Sequence, residues 1–488
     1  MKPSVRVALS FAVLAAAAAA TVAVLRVQSR GDGAVSHGPA RGGDAPGEQA
    51  YDREPSAAPA DAAERYDAEY PTMHYASAPR SDAIAKLEAR LQSGAIRLES
   101  GPRGYLDSLL AALRIDASSQ TLVFSQTSLQ SRRINPRTPR AIYFNDDVYV
   151  AWVQNGPLEI GALDPNLGPV FYLLQQPMAG SAAAPAPKLE RDFTRCLSCH
   201  DSYSLSGGGV PRFIVGSGYT GIGGNLVSHE GWILVTDETP LKSRWGGWYV
   251  TGQSGEQVHL GNVVIRDLKD FDRLDELRVG NLETLDGLFD TKPYLTNKSD
   301  IVALMILEHQ VNAQNAITRV NFDVRTAIDR ERGAAKSRDG YELPADQLSP
   351  ATRKAIDDAV EPLVQTLLFA NETRLTAPVV GDPRFVEQFM SRAIMDSRGR
   401  SLRDLDRRSR LFRYPLSYVV YSAAFDALPR VAREAVYRRV AELLRGAGNA
   451  DAVARLRPDE RAAILEILGA TKPEFAAVSA AEPRAEER

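Results

Sequence analysis

The chain has 488 residues, of which 44% are hydrophobic and 24% charged, and its formal net charge at pH 7 is -3. A chain of this length and composition can bury a large core and, on length alone, suits two or three domains. The near-neutral charge argues against nucleic acid as the main partner.

The first element is an export signal, predicted over residues 1–27. Lys2 and Arg6 precede an apolar run from Val7 to Leu25, an order typical of a secretory signal peptide or of an uncleaved signal anchor. Small residues within the run offer a cleavage site, yet the run approaches the length of a membrane span, so both interpretations stay open. Either one predicts a periplasmic or outward-facing body, secreted across or anchored in the inner membrane. Residues 28–80 are rich in Gly, Ala, Pro and charge and are predicted to be a flexible tether.

Residues 81–298 are predicted to be rich in strands. After two short amphipathic helices, the pattern over residues 141–153 indicates a hairpin whose polar turn is residues 145–147. The stretch just before residue 196 carries no strong strand signal. Clustered glycines after residue 207 permit either tight turns or close approach of the backbone to a flat ligand. Further strands are predicted at 158–160, 170–174, 232–235, 248–250 and 258–260.

Residues 299–470 are predicted to be helical. Ser299 or Asp300 can cap a long helix that runs to about Arg330. The combination predicts an α+β fold, with a strand-rich first half and a mostly helical second half, followed by a disordered tail over residues 471–488. Arginine is dense from 392 to 457, which we interpret as a solvated helical surface, with an electrostatic docking face as the alternative. Further helices are expected over 350–369, 383–395, 429–445 and 458–468, several with proline near the first turn.

The two cysteines of the chain stand three residues apart and a histidine follows the second, in the order Cys196-Leu197-Ser198-Cys199-His200. This is the attachment pattern of c-type haem. Two thiols on one helical turn reach the two vinyl groups of one porphyrin, and the adjacent histidine then binds the iron as the proximal ligand. The pattern therefore predicts one covalent haem c, with Cys196 and Cys199 as thioethers and His200 as the iron ligand.

Three other interpretations of the cysteine pair fit less well. A thioredoxin-type dithiol stands at a strand-to-helix junction inside a βαβ unit, and no such strand is evident before Cys196. A disulfide would close a tiny loop and restrain little of the unfolded chain. A zinc site needs further Cys or His ligands at metal spacing, and the chain has no second cysteine pair.

The ligand on the other face of the iron is not determined by the sequence. No methionine lies between His200 and Met305, unlike the layout of the small mitochondrial-type cytochrome c. His309 is the first candidate, because it shares a face of a predicted buried helix with Met305, itself a weaker candidate. His259, in the strand-rich region, is the second, while His74 falls in the predicted tether and is a poor one. For each of these side chains an ordinary place in the core is the alternative, and so is an open or water-filled iron position.

Five stretches of the chain form a joint signature: IYFNDDVYV (142–150), CLSCH (196–200), RWGGWYV (244–250), LEHQ (307–310) and RLFRYPLSY (410–418). Together they resemble a group of large exported bacterial proteins described only as cytochrome c domain-containing. The resemblance spans about residues 81–468. It implies haem c and electron transfer, names no substrate, and carries over only Cys196, Cys199 and His200 as haem-binding positions.

The sequence thus predicts an exported monohaem c-type cytochrome that passes single electrons to or from another redox protein or a small donor or acceptor. A carrier of about 100 residues can hold one haem within an ordinary domain, and this chain is far larger. The alternative is therefore a haem-dependent, peroxidase-like oxidoreductase or a haem-based sensor with an open sixth iron position. No Ser/His/Asp order or carboxylate pair in the sequence favours a hydrolase.

Overall fold

An antiparallel sheet of seven strands organises the first half of the computed structural model, which describes residues 69–177, 187–227, 231–339, 347–447 and 453–480. The strands are β1 (Thr121–Val123), β2 (Arg140–Phe144), β3 (Val148–Trp152), β4 (Leu158–Asp164), β5 (Gly168–Leu174), β6 (Leu189–Arg191), β7 (Gly216–Gly218), β8 (Trp232–Leu234) and β9 (Trp248–Tyr249). The seven strands of the sheet stand in the order β6-β5-β4-β3-β2-β1-β9, so that chain neighbours are also sheet neighbours from β1 to β6. A separate two-stranded ribbon pairs β7 with β8.

The predicted hairpin is confirmed as β2 and β3, in a register that pairs Phe144 with Tyr149. The side-chain oxygen of Asn145 accepts the backbone N–H groups of Asp147 (3.1 Å) and Val148 (2.9 Å), which closes the polar turn. Every residue of β3 and of β5 is buried, so both faces of the sheet are covered at its centre. This double burial explains why these strands are continuous apolar runs rather than alternating ones.

The strand predictions differ from the structure in two ways. Residues 258–260 form a loop rather than a strand, and the N–H of Leu260 donates to the carbonyl of Arg244 at 2.9 Å in place of a ladder bond. Conversely, the three-residue strands β1, β6 and β7 form where no strand was predicted. Each of these short strands is ordered by a partner strand, whereas residues 258–260 pair with no strand in the described ranges.

Helices dominate the chain after residue 300, so the described residues have an α+β fold. The longest helix, α6 (Ile301–Asp339), spans 39 residues. It begins where predicted, and the carboxylate of Asp300 accepts the N–H of Ala303 at 2.9 Å. The four later helices that were predicted all form, although the one from Pro383 ends at Met390 rather than near residue 395. The helices are α1 (Ala83–Gln92), α2 (Leu106–Leu113), α3 (Thr194–His200), α4 (Tyr203–Ser206), α5 (Leu274–Leu277), α6 (Ile301–Asp339), α7 (Pro350–Leu367), α8 (Pro383–Met390), α9 (Ala423–Asp426), α10 (Arg430–Leu444), α11 (Pro458–Thr471) and α12 (Pro473–Ala480).

Helix α6 is buried over almost all of its first half, and its polar side chains there bind the sheet. The hydroxyl of Tyr149 donates to the side-chain oxygen of Gln314 at 2.7 Å. The amide nitrogen of Gln310 donates to the same hydroxyl (2.7 Å) and to the carbonyl of Asn145 (2.9 Å), which fixes the hairpin turn against the helix. Buried amides with satisfied donors and acceptors give α6 a single position on the sheet.

The ordered body is longer at both ends than the sequence predicts. Residues 69–80 were assigned to the tether, yet Tyr75 is buried and its hydroxyl donates to the carbonyl of Pro169 at 2.7 Å. The predicted disordered tail includes α12, which buries Phe475 in the core. The predicted export signal and most of the predicted tether lie outside the described residues. Of the residues described, none belongs to a helix that is long and apolar enough to cross a membrane.

A buried ion pair links α6 to the loop that precedes β9. The guanidinium of Arg244 donates to the carboxylate of Glu308 at 2.9 Å, and both side chains are almost fully buried. Arg244 also donates to the carbonyls of Thr239 (2.8 Å) and Asp237 (3.0 Å), so several of its donors are satisfied. Burial of two charges is tolerated only where they pair, and here one oxygen of Glu308 stays without a hydrogen-bond partner among the described residues.

We expect Arg244→Met to lower the free energy of unfolding by about 3–5 kcal/mol, because it leaves the Glu308 carboxylate buried without its charge partner. The double variant with Glu308→Leu should recover about 1–3 kcal/mol, since the unpaired charge is then gone while the two carbonyls still lack a donor. Urea unfolding followed by far-ultraviolet circular dichroism measures both values. The matched control is Lys354→Met, which breaks an exposed pair with Asp358 and should cost less than about 1 kcal/mol. If Arg244→Met and Lys354→Met lowered the free energy of unfolding equally, the buried pair would have no special importance for stability.

Candidate functional site

The cysteine motif forms a short helix, α3, at the edge of the sheet. Leu197 anchors it in the core, while Cys196 is half-buried and Cys199 is exposed. The carboxylate of Asp192 accepts the N–H of Arg195 at 2.9 Å, which satisfies a donor of the first turn. Residues three apart lie on one side of a helix, so the backbone of α3 places the two free cysteines on the same side.

His200 ends this helix and is held through one ring nitrogen. Its Nδ1 lies 2.7 Å from the carbonyl oxygen of Arg212, and its ring packs on that of Phe171 with centroids 4.2 Å apart. A carbonyl can only accept, so Nδ1 carries the proton and Nε2 keeps its lone pair. Burial, with a smaller effect from the positive charge of Arg140, lowers the pKa of His200 to about 4. The imidazole is therefore neutral at physiological pH, and Nε2 can bind a metal ion.

The carbonyl that orients His200 is itself fixed by the fold. The N–H of Arg212 donates to the carbonyl of His200 at 2.9 Å, so the two residues bind each other. The side chain of Asn315, on α6, accepts the N–H of Phe213 (2.9 Å) and donates to the carbonyl of Phe213 (2.8 Å). Sequence reasoning missed Arg212 and Asn315, because a backbone carbonyl has no sequence signature and Asn315 acts over a separation of 102 residues.

A turn of three glycines brings the chain back from α3 to Arg212. Gly207, Gly208 and Gly209 all have positive φ, at 79°, 60° and 77°. A Cβ on Gly208 would lie 2.8 Å from the ring of Tyr203, so glycine is required there for space as well as for its backbone angles. Of the two predicted roles of these glycines, the tight turn is the one observed.

Cationic side chains with unused donors surround the motif. Arg140 pairs with Glu159 at 3.3 Å, and both are largely buried. The Nε atoms of Arg140, Arg191 and Arg212 are buried, and within the described ranges they have no hydrogen-bond partner. These buried Nε atoms are closed to solvent, so they do not offer donors to a bound group. The residues that would hold haem c are therefore the two cysteines of one helical turn and His200 with its free Nε2.

The dithiol interpretation does not fit this geometry. Burial raises the pKa of the Cys196 thiol well above its ordinary value, and the nearby carboxylates of Asp192 and Glu159 raise it further. A redox-active dithiol needs a lowered thiol pKa. The strand β6 before the motif pairs antiparallel with β5, so the motif does not follow a parallel βαβ strand. In the described part of the chain, no three His, Cys, Asp or Glu side chains converge as metal ligands.

His309, the first candidate for the sixth ligand, is fully buried, and both of its ring nitrogens are engaged. Its Nδ1 lies 2.9 Å from the carboxylate of Asp237, and its Nε2 lies 2.7 Å from the hydroxyl of Ser417. The ring stacks on Phe369 with centroids 4.1 Å apart. Asp237, His309 and Ser417 are hydrogen-bonded in the same sequence of groups as a hydrolytic triad. However, Ser417 is only 1% exposed, and its hydroxyl also accepts the N–H of Val419. We interpret the chain of hydrogen bonds as structural.

His259, the second candidate, lies in a different part of the core. Its ring meets that of Trp245 edge to face at 5.2 Å, and burial, with a smaller effect from the charge of Arg278, lowers its pKa to about 4. Among the described residues, no hydrogen bond or ring contact links His259 or His309 to His200. Both assignments as distal ligand remain predictions from the sequence.

His74, which the sequence places in the tether, is attached to the body near the motif. The hydroxyl of Tyr70 donates to the carboxylate of Asp201, the residue after His200. The guanidinium of Arg191 donates to the carbonyl of Ala76 at 2.9 Å. The Nδ1 of His74 faces the carboxylate of Glu69 at 3.8 Å, and the side chain is 69% exposed. His74 thus lies at the surface, on a segment that Tyr70 joins to the residue after the cysteine motif.

Comparison with known proteins gives no match, since no family model, no curated protein and no solved structure is similar to the chain. The resemblance to cytochrome c domain-containing proteins therefore stays an expectation from the sequence.

We expect the two thiols of the haem-free protein to differ in reactivity. Cys199 is exposed and should react with iodoacetamide at pH 8 at least about tenfold faster than Cys196, whose raised pKa keeps it protonated. Mass spectrometry of the labelled peptide after timed quenching measures both rates. Cys199→Ser isolates the slow thiol, and equal rates in urea are the control. Fast labelling of Cys196 in the folded protein would contradict the burial argument.

Proposed function

We propose that the protein is an exported monohaem c-type cytochrome, with the haem bound to Cys196, Cys199 and His200. One observation carries the proposal: on a single helical turn, two free thiols precede a neutral histidine whose Nδ1–H donates to the carbonyl of Arg212. Ligating histidines in metal sites almost always donate their second nitrogen in this way, because the bond fixes the tautomer and the ring orientation and raises the basicity of the free nitrogen.

Bound haem would supply one-electron exchange between ferric and ferrous iron. His200 keeps Nε2 available without a competing proton at neutral pH, because the pKa of the ring is about 4. Exposed Cys199 places one edge of the site at the surface. Tyr203, on the following turn, is 82% exposed. The ring of Tyr203 is thus an exposed apolar group beside α3, which suits transient contact with a redox protein or a small electron donor or acceptor.

A second candidate function is favoured by the positions of His309 and His259. Either residue would have to leave the hydrogen bonds or the core packing described above in order to reach an iron on His200. If neither does, the sixth position is open, and the protein is a peroxidase-like oxidoreductase or a sensor of small ligands. His74 is a third candidate ligand, because its side chain is 69% exposed on a segment that the hydrogen bond from Tyr70 to Asp201 attaches near the motif. A second histidine ligand would favour the electron carrier.

Covalent haem is the first test. We expect the full chain, coexpressed with a haem c maturation system, to keep one haem after denaturation, visible by haem staining and as one haem mass on the intact protein. Cys196→Ser and Cys199→Ser should each lose one thioether, and the double variant should hold no covalent haem. Ser198→Ala, between the cysteines, is the matched control and should keep full loading. A colourless protein with a reversible Cys196–Cys199 disulfide would overturn the proposal.

The spin state separates the carrier from the second candidate. We expect a low-spin spectrum that ignores carbon monoxide and cyanide, and we expect His74→Ala to turn it high-spin. His259→Ala and His309→Ala are the comparison variants, and a spin change in one of them instead would identify that residue as the ligand. A wild-type spectrum that is high-spin and binds carbon monoxide readily would favour the enzyme or sensor.

A further inference from the structure

A cavity of about 320 Å³ opens in the helical half, between the end of α7, a loop at residues 409–415 and the start of α11. Its volume lies in the range of sites for small molecules. None of the side chains around His200 lines it, so it is separate from the proposed haem site. Its walls combine apolar side chains with a cluster of charge: Leu368, Phe369, Ala370, Pro415, Leu456, Arg374, Arg410, Arg455, Arg457, Glu372 and Glu460.

The charge that lines this cavity is positive in excess, since four arginines face two carboxylates. Arg410 forms an ion pair with Glu460. The guanidinium of Arg455 donates to a backbone carbonyl, that of Glu372, at 2.7 Å. Arg374 is exposed, and in the described ranges no carboxylate pairs with it. At least two guanidinium groups therefore keep their charge and most of their donors for a ligand.

The backbone at the cavity wall is strained at Phe369, whose φ is +52°. This position follows the C-terminus of α7, where the left-handed conformation normally selects glycine. The strained turn puts the phenyl ring into the cavity wall and onto the ring of His309. The turn is a Schellman motif, in which the N–H of Ala370 donates to the carbonyl of Gln365 at 3.1 Å and the N–H of Phe369 to that of Thr366 at 3.2 Å. It ends α7 and fixes the phenyl ring as part of the cavity wall.

Glu372 is the acidic group that faces both the cavity and the core. Burial raises its pKa to about 7, the negative charge of Asp237 adds to the rise, and the N–H of Leu411 donates to its carboxylate at 3.0 Å. His309 and Arg244 act in the opposite direction. When protonated, Glu372 can donate to an anion in the cavity, and when ionised it repels one. Binding of an anion should therefore strengthen as the pH falls through about 7.

We propose that this cavity binds a small organic anion with two or more carboxylate or phosphate groups. Separate guanidinium groups favour a ligand with several charges over a monoanion such as acetate, and the apolar wall favours a ligand with a carbon skeleton. Carboxylates and phosphates share this chemistry of planar or tetrahedral oxyanions, and the choice between them is left to the experiment.

Isothermal titration calorimetry of the full chain with citrate and with pyrophosphate, at constant ionic strength and pH 6.5, tests the proposal. We expect saturable binding of at least one probe with a dissociation constant below about 1 mM, and no detectable heat with acetate. Arg374→Ala with Arg455→Ala should weaken binding at least tenfold. Arg332→Ala removes an exposed arginine that does not line the cavity and should leave binding unchanged. Circular dichroism and the thermal midpoint establish that each variant is folded.

Glu372→Gln tests the dependence on pH. Both probes gain negative charge between pH 6.5 and 8, so the wild type is compared with the variant at each pH. The ratio of the wild-type dissociation constant to that of Glu372→Gln should rise at least fivefold from pH 6.5 to pH 8, because the amide donates at every pH. Binding that persists unchanged in a folded double-arginine variant, or no heat from citrate or pyrophosphate at millimolar concentration, would overturn the site. A ratio that is the same at both pH values would overturn the role of Glu372. Neither outcome bears on haem attachment, which is measured separately.

Discussion

The rest of the structure depends on one constraint: helix α6 runs through the core and carries polar side chains that cannot reach water. Each of them needs a partner on another element, and each partnership fixes that element in place. Gln310 and Gln314 position the hairpin turn of the sheet, and Glu308 holds Arg244 before β9. His309 binds Asp237 through one ring nitrogen and Ser417 through the other. The strand-rich and helical halves are thereby joined through hydrogen bonds as well as apolar packing.

Helix α3, which carries the cysteine motif, lies at the surface but also depends on α6 for its position. Seven residues of helix are too few to be stable alone, so α3 depends on the body beneath it. Asn315 fixes Phe213 and therefore the neighbouring carbonyl of Arg212, which orients His200. A haem protein must hold its proximal ligand in one tautomer and one direction. Here the carbonyl of Arg212 meets that demand. Its position depends on Asn315, which binds the neighbouring Phe213 from 102 residues further along the chain.

The structure also changes the meaning of two sequence patterns. Arginines between residues 392 and 457, interpreted as a solvated surface, include three that line a cavity, at 410, 455 and 457. The helix that the sequence singles out for His309 does form, yet the ring is held in a cage of Phe369, Phe412 and Tyr418. The helix around His309 was predicted correctly, whereas Arg410 and Arg455 lie outside the helices and not on the helical surface that was predicted. The chemistry available to the side chain depended on neighbours that are distant in sequence.

What the sequence determined by itself is local. Caps and first-turn prolines marked the helices from Asp300 onward, the Asn145 turn marked the hairpin, and the cysteine spacing placed two thiols on one turn, because each of these depends on residues within about four positions. The tertiary structure decided the rest. It formed β6 and left 258–260 as a loop, ordered residues 69–80, gave His200 its acceptor, occupied both nitrogens of His309, and gathered arginines from separate segments. These contacts join residues that are distant in sequence, such as His309 and Ser417, which are 108 positions apart. They follow from the packing of whole elements, and a local sequence pattern carries no information about that packing.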